Sequence, residues 1–512
     1  MKKTKLFALA LTSVFVATAF AGCGKTGGGT VTPPTTDDST WHSLENNDVV
    51  YITLAGRDVD TEKANYQAFV EEFNNTHDNI VVTLKWWSDS TAYNIALDGM
   101  GSNLPDVFML QNATGMYHRF AAAGKLANIR DYVDESLMND MYRDGYDIYY
   151  YDHATKTPGY SETAGFYGLP KDMGPYALAI NEDLLDSTVK KYNATAAEAD
   201  QIDVDRIMST KNPMDYDYFL EVGQKLASVI GQSQYVLAGY NMESAIYSNN
   251  ADYYTRTGNG WQQTITSDNF VGALTFYQNL YRYGILPAAG TESSADTTFT
   301  SGRGIFYYVG PWTTKDWWNS CGFNWNIVPV IAGTAEGAVS TAYVGGMCYA
   351  ISNNCKYKDA ALELAKFLAT DVSSQRTQYK RGQCIPNLVS LAQEYSTDQH
   401  NFIAIQSGKT NPPPTNRGVW IDVVDGVGTT KTDGDGNPYT DRVTGRYSAV
   451  AYTINNTWLT NMNNYIGGST NPSTTLWKQV NGQWLDVKTV LESYAPFLQA
   501  DLDDMWGALS RV

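Results

Sequence analysis

The chain has 512 residues and a formal net charge of −18 at neutral pH, with an apolar share of 43%. So acidic a surface argues against nucleic acid, whose binding needs Lys and Arg at the phosphates, and more weakly against an anionic small ligand. The apolar share is that of a folded soluble protein, and the length exceeds what one core organises, so two lobes are expected.

The first expected element is an export signal at residues 1–22. Lys2, Lys3 and Lys5 precede an apolar run from Leu6 to Phe20, shorter than the roughly 20 residues a membrane-spanning helix needs. The closing Phe20-Ala21-Gly22-Cys23 resembles a bacterial lipobox, with Phe20 in place of the usual leucine. That resemblance implies lipidation of Cys23, which becomes the first mature residue and holds the chain on the extracytoplasmic face of the cell membrane by acyl chains alone. An ordinary secretory signal that contains a cysteine is the alternative. Residues 24–40 hold Gly, Thr, Pro and Asp with almost nothing to bury, and 23–43 reads as a flexible tether.

Val49–Leu54 reads as a buried strand ending in a turn at Ala55-Gly56. Tyr66, Phe69, Val70 and Phe73 mark one helical face, Ile80 to Trp86 alternate as a second strand, a helix surrounds Tyr93–Met100, and Val107–Leu110 is a third strand. This order signals a mostly parallel sheet covered by helices. Ligands bind beyond the carboxyl ends of such strands, which nominates Arg57 and Asp58, Trp86 and Trp87, and Gln111 and Asn112. Neighbouring strand residues face opposite ways, so at most one of the two indoles lines a given face.

The alternation resumes with strand Ala177–Ile180 and a helix from Tyr218 to Ala227, with Asp215 or Asp217 near its positive end. Strand Tyr235–Gly239 ends at Tyr240-Asn241-Met242-Glu243, and a helix spans Phe270–Tyr283. Strand Gly304–Val309 terminates in Gly310-Pro311-Trp312. Strands Trp325–Val330 and Gly346–Ile351 follow, then a helical face of Ala361, Leu364, Ala365 and Leu368. An amphipathic helix from Val487 to Leu509 closes the chain, with a kink expected at Pro496.

Four cysteines follow Cys23 (Cys321, Cys348, Cys355, Cys384), none in a C-x-x-C pair, and the five histidines are scattered. No metal site and no cofactor is expected; one disulfide and buried free thiols both fit an exported chain. The 13 Trp and 36 Tyr outnumber the 17 Phe. Such residues pair a flat apolar face with a polar handle, which suits a wet cleft as well as a core.

With these segments placed, the order of motifs resembles the extracellular solute-binding protein family 1, the maltose-binding-protein-like receptors of ABC importers. The motifs are Leu104-Pro105-Asp106-Val107-Phe108, Tyr167 to Asp172 running on through Ala179 to Leu185, and Tyr216 to Leu220. Gly302 to Phe306 with Gly310-Pro311-Trp312, Gly345 to Ser352, and Cys384-Ile385-Pro386-Asn387 complete the set. They span Val49 to Leu391; residues 392–485 match little of the pattern.

The resemblance implies an α/β, two-lobed periplasmic-binding-protein-like fold of type II with the ligand cleft between the lobes. Residues 44–173 plus 345–390 would form lobe 1, and 174–344 plus 391–512 lobe 2, with crossings near Pro170–Pro175 and Tyr343–Gly346. It implies a membrane-anchored monomeric receptor, without catalytic residues, that delivers a sugar, an oligosaccharide by preference, to the permease subunits of an ABC importer. The family's stacking tryptophan maps onto Trp312, its polar contacts near Asn112 and Arg57, and a second-lobe acid and aromatic onto Asn241, Met242 and Glu243. Where some relatives carry a hinge glutamate, this chain has Gly174, with Asp172 as the substitute.

Rival readings remain open from the residues alone. An exported glycoside hydrolase needs two acids about 5–10 Å apart across the scissile bond, and none of these motifs supplies such a pair. A carbohydrate sensor that takes no part in transport, or the same fold binding a peptide or polyamine, also fits. Gly124-Lys125-Leu126 lacks the Ser or Thr of a phosphate loop. Asp433, Asp435 and Asn437 have calcium-loop spacing, but Pro438 and Thr444 replace the required glycine and glutamate, so a turn at Asp435-Gly436 is the better reading. Cys23→Ala is expected to move the protein from the detergent phase to the aqueous phase in a partition assay; an unchanged distribution counts against lipidation at this cysteine.

Overall fold

The computed structural model describes residues 38–509, apart from 47, 59, 112–115, 156, 258–259, 291–293, 398–413, 426–429, 433–437, 441–442 and 448–455. The export signal, Cys23, Asn112 and the Asp435-Gly436 turn lie outside the described residues.

The first strand, β1 (Val50–Arg57), continues through Ala55 and Gly56, where the sequence reads as a turn. The extension has a packing cause: a Cβ on Gly56 would lie 2.5 Å from the Trp86 ring, so the glycine makes room for an indole. α1 (Asp60–Thr76), β2 (Ile80–Trp87), α2 (Ser90–Gly99) and β3 (Val107–Gln111) follow. Next come β4 (Leu169–Pro175) and β5 (Ala177–Asn181), separated by Tyr176 alone. The middle of the chain holds α3 (Glu182–Asn193), α4 (Tyr216–Ala227), β6 (Tyr235–Leu237), α5 (Met242–Ser248) and α6 (Asp268–Arg282). Then come β7 (Gly304–Val309), α7 (Thr314–Ser320), β8 (Trp325–Val328), β9 (Ser340–Ile351) and α8 (Lys358–Thr370). The described chain ends with α9 (Gly418–Asp425), β10 (Val443–Tyr447), α10 (Asn456–Gly467) and α11 (Val487–Leu509), inside which Pro496 lies.

Two sheets result. The first runs β10-β9-β3-β1-β2, with β4 also paired to β9; β1, β2 and β3 are parallel. The second runs β8-β5-β7-β6, where β5 is antiparallel to both neighbours. Polar residues fix the helix starts: Asp89, Asn181, Asp215 and Asn241 each accept a backbone N–H of the helix that follows. Each such cap contributes about 1 kcal/mol. Tyr66, Phe69 and Phe73 of α1, and Ala361, Leu364, Ala365 and Leu368 of α8, are all buried, as their spacing requires.

β9 starts six residues earlier than its apolar run suggests, because Gly345 and Gly346 lie inside the strand. Its first half pairs with β10 and its second half with β3, while β4 lies alongside from Val344↔Pro175 to Tyr349↔Leu169. These two strands carry the chain between the sheets. Residues after 391 divide: β10 joins the first sheet, whereas α10 and α11 pack against α5 and α6 through Trp458, Met462, Leu491 and Leu498. A single boundary at 391 does not capture that division. Cys321, Cys348, Cys355 and Cys384 are buried thiols that form no disulfide among the described residues.

In a three-stranded sheet built from residues 150–166, buried Asp152 accepts from Ser161, Thr163 and the amides of Ala154 and Thr155. These bonds, the Thr163 hydroxyl foremost, hold its pKa down at about 2 against an ordinary 3.8. A depressed carboxylate stabilises the fold above its unfolded pKa and loses that contribution as pH falls through the folded one. Asp152→Asn is therefore expected to lower the melting temperature at pH 7 and to flatten the loss of stability between pH 4 and 2. Parallel melting curves for the two proteins across that window would refute it.

Candidate functional site

The carboxyl ends of β1 and β3 meet β9 at Met347, and the turn after β7 meets β4 at Gly174, so the candidate site is traced along these crossing strands. Arg57, the last residue of β1, donates from Nη2 to Gln111 Oε1 at 3.0 Å, with Met347 Sδ of β9 at 3.7 Å. Its Nε is buried and has no hydrogen-bond partner. Asp58 holds a φ of 142°, which side-chain-bearing residues rarely adopt. Its amide donates to Trp87 O and its carbonyl accepts Trp86 Nε1 at 2.9 Å, so β2 enforces the conformation. Strain of that kind concentrates at functional positions.

Trp86 lies over Gly56 and tilts against Tyr66 at 5.3 Å, whereas Trp87 meets Tyr93 edge-on at 5.4 Å. The two indoles thus diverge onto different helices, as strand alternation demands. Asp172 is more occupied than its hinge position suggests. Its carboxylate pairs with Lys171 Nζ at 2.6 Å and accepts the Met347 amide at 3.1 Å. It therefore braces β4 against β9.

On the other side, Gly310-Pro311-Trp312 follows β7 directly. Pro311 at the start of a short helical turn fixes the bend. The Trp312 ring covers two glycines: a Cβ on Gly174 would lie 2.8 Å from it, and one on Gly310 would overlap it. Trp312 remains 38% exposed, so the ring is seated on the crossing strand with its remaining surface open. Tyr176 meets it edge-on at 4.9 Å and stacks flat on Tyr308 at 3.8 Å, with Tyr343 at 5.5 Å. Burial first, then the Glu243 carboxylate, pushes the Tyr343 hydroxyl well above its ordinary pKa, so Glu243 lies close to this aromatic group.

Asn241 caps α5 by accepting the Ser244 amide at 2.7 Å, which anchors the start of the helix that carries Glu243. Ser244 Oγ in turn lies 3.1 Å from the Tyr308 hydroxyl and accepts the Tyr343 amide at 2.9 Å. Arg57, Asp172 and Trp312 of the nominated residues therefore converge along β4 and β9, with Glu243 beside Tyr343; Asn112 lies outside the described residues. Tyr176 and Tyr343 escape the carboxyl-end rule because β5 is antiparallel and β9 runs through the crossing. The legible signal was Pro175-Tyr176, an aromatic placed directly after the hinge proline.

A family model described as bacterial extracellular solute-binding protein matches residues 68–403, more than half of the chain. A galactooligosaccharide-binding protein from Bacillus subtilis is 25% identical over 256 residues, 48% of this chain and 56% of that protein, so the match spans little more than half the length of the curated relative. The fold is similar to a cyclic alpha-maltosyl-1,6-maltose binding protein from Arthrobacter globiformis, with a TM-score of 0.62 at 13% identity over 89% of this chain and all of that one. It is also similar to the sugar-binding protein MalE from Xanthomonas citri, with a TM-score of 0.60 at 14% identity over 90% and 98% of the two chains. These likenesses identify the architecture as the two-lobed, type II α/β fold.

The glycine seat makes a direct prediction. Gly174→Ala and Gly310→Ala should each displace the Trp312 ring. With 5-fluorotryptophan labels, the resonance missing from Trp312→Phe should shift in either alanine variant while the other tryptophans hold. An unmoved resonance would show that the seat tolerates a methyl group.

Proposed function

This chain belongs to the bacterial extracellular solute-binding proteins, and on that premise we propose that it is a carbohydrate receptor, selective for an oligosaccharide, that serves an ABC importer from a lipid anchor at Cys23. The observation that carries the reading is the partly exposed Trp312 ring edge-on to Tyr176, which Tyr343 also meets, with Arg57 beside the same crossing strands and Glu243 acting on Tyr343. A pyranose presents C–H groups on its faces and hydroxyls around its edge. Indole covers the first, while carboxylate, guanidinium and phenol groups satisfy the second, whose unpaired burial is costly.

The named specificities of the relatives, for galacto-oligosaccharide and for cyclic maltosyl-maltose, support a sugar of more than one unit. Binding at micromolar strength, about −8 kcal/mol, is enough for such a receptor. The ligand favours hinge closure about β4 and β9 only as far as it binds the closed arrangement better than the open one.

A thermal-shift screen across malto- and galacto-oligosaccharides tests the proposal, since a ligand of the native state raises its stability by mass action. No shift with any of them would sink it, and cleavage of the added sugar would favour a hydrolase instead. Trp312→Ala is expected to weaken the bound sugar by about 2 kcal/mol or more, roughly thirtyfold in Kd, without lowering the melting temperature of the free protein. Calorimetry that returns the wild-type affinity would remove Trp312 from the site.

A further inference from the structure

Beside this site, one buried carboxylate is shared between the two sides of the molecule. Glu62 in α1 is 2% exposed. Its carboxylate lies 3.5 Å from Lys171 Nζ and 3.2 Å from Lys315 Nζ, and it accepts the Gln383 amide. Three of these groups belong to the first sheet's side: α1 covers β1 and β2, Lys171 is in β4, and Gln383 lies in the segment after α8. Lys315 does not. It comes from α7, whose Trp317 packs against Phe299 and Trp325 beside the second sheet.

The asymmetry is informative. If the two sides separate, Glu62 keeps Lys171 and Gln383, so neither side is left with a bare buried charge, and Lys315 regains water. The pair can therefore break and re-form without unfolding anything. A pair this buried is screened by salt far less than a surface one. Lys315 also stands three residues beyond Trp312 in a continuous helical segment, on the same side of it.

Lys315 also sits among opposing charges. Asp316 on α7 is held above its ordinary pKa, by burial first and also by Asp58, Asp296 and Glu62. Asp58 and Glu62 belong to the first sheet's side, so carboxylates repel across the same gap that Lys315 bridges.

We propose that the Glu62–Lys315 pair is a closure latch, and that Lys315 is a positioning residue which holds the Trp312 platform against the crossing strand. The platform half rests on the carbohydrate-receptor reading; the latch half does not. Solution X-ray scattering of the unliganded protein tests the latch without any ligand. Lys315→Met keeps the apolar stem and should give a larger radius of gyration than wild type, Lys315→Arg should restore it, and Lys190→Met, which removes an exposed pair within α3, should leave it unchanged. Scattering from Lys315→Met that superimposes on wild type overturns the latch, whether or not any sugar binds. If Lys315→Met does not fold by circular dichroism, Lys315→Gln takes its place and is judged in the same way.

The positioning role is read with maltotetraose as probe. Its dissociation from Lys315→Met should be about tenfold faster, with association changed little, since interface contacts act mainly on the off-rate. Equal dissociation rates overturn that role. A wild-type protein that ignores every sugar would fail the receptor reading alone, and the scattering would still decide the latch.

Discussion

Gly174 lies opposite Gly345 in the antiparallel pairing of β4 with β9, and the missing side chains there shape the rest of the site. Two strands must pass side by side between sheets, and an aromatic ring must lie across them. Any Cβ on Gly174 would meet that ring. The same pairing brings Asp172 to the Met347 amide, and Met347 to Arg57. One stretch of backbone thus sets the spacing between a cation, an acid and an indole that are far apart in sequence.

Much of this is legible in the sequence, where pattern and burial coincide. The helical faces at Tyr66–Phe73 and Ala361–Leu368 and the strand Gly304–Val309 stand where their spacing puts them, because burial is what spacing reports. Strand ends are less legible. Gly56 reads as part of a turn, yet it lies inside a strand because the Trp86 ring takes the space a side chain would fill, and β9 likewise runs on through Gly345. Local sequence carries no record of such a neighbour.

The site is legible by half for a related reason. Reading the carboxyl ends of parallel strands nominates Arg57, whereas Trp312 is nominated by the family resemblance. The carboxyl-end rule misses Tyr176 and Tyr343, which reach the same place from the one-residue link between β4 and β5 and from within a crossing strand. Asp172 can be nominated from its place in the chain, but its partners Lys171 and Met347 are invisible until the strands are paired. The joining of β10 to β9 is equally hidden, because residues 392–485 carry no pattern that points to the first sheet.

The four buried thiols bear on life outside the cytoplasm. Burial pushes Cys321 up to about 12 and drives Cys348, Cys355 and Cys384 upward as well, so at neutral pH almost none is present as the reactive thiolate. Among the described residues these sulfurs form no cystine, and the native state gives oxidants little to attack at them. Their exposure to oxidation is greatest before burial, which favours rapid closure of the core around these sulfurs.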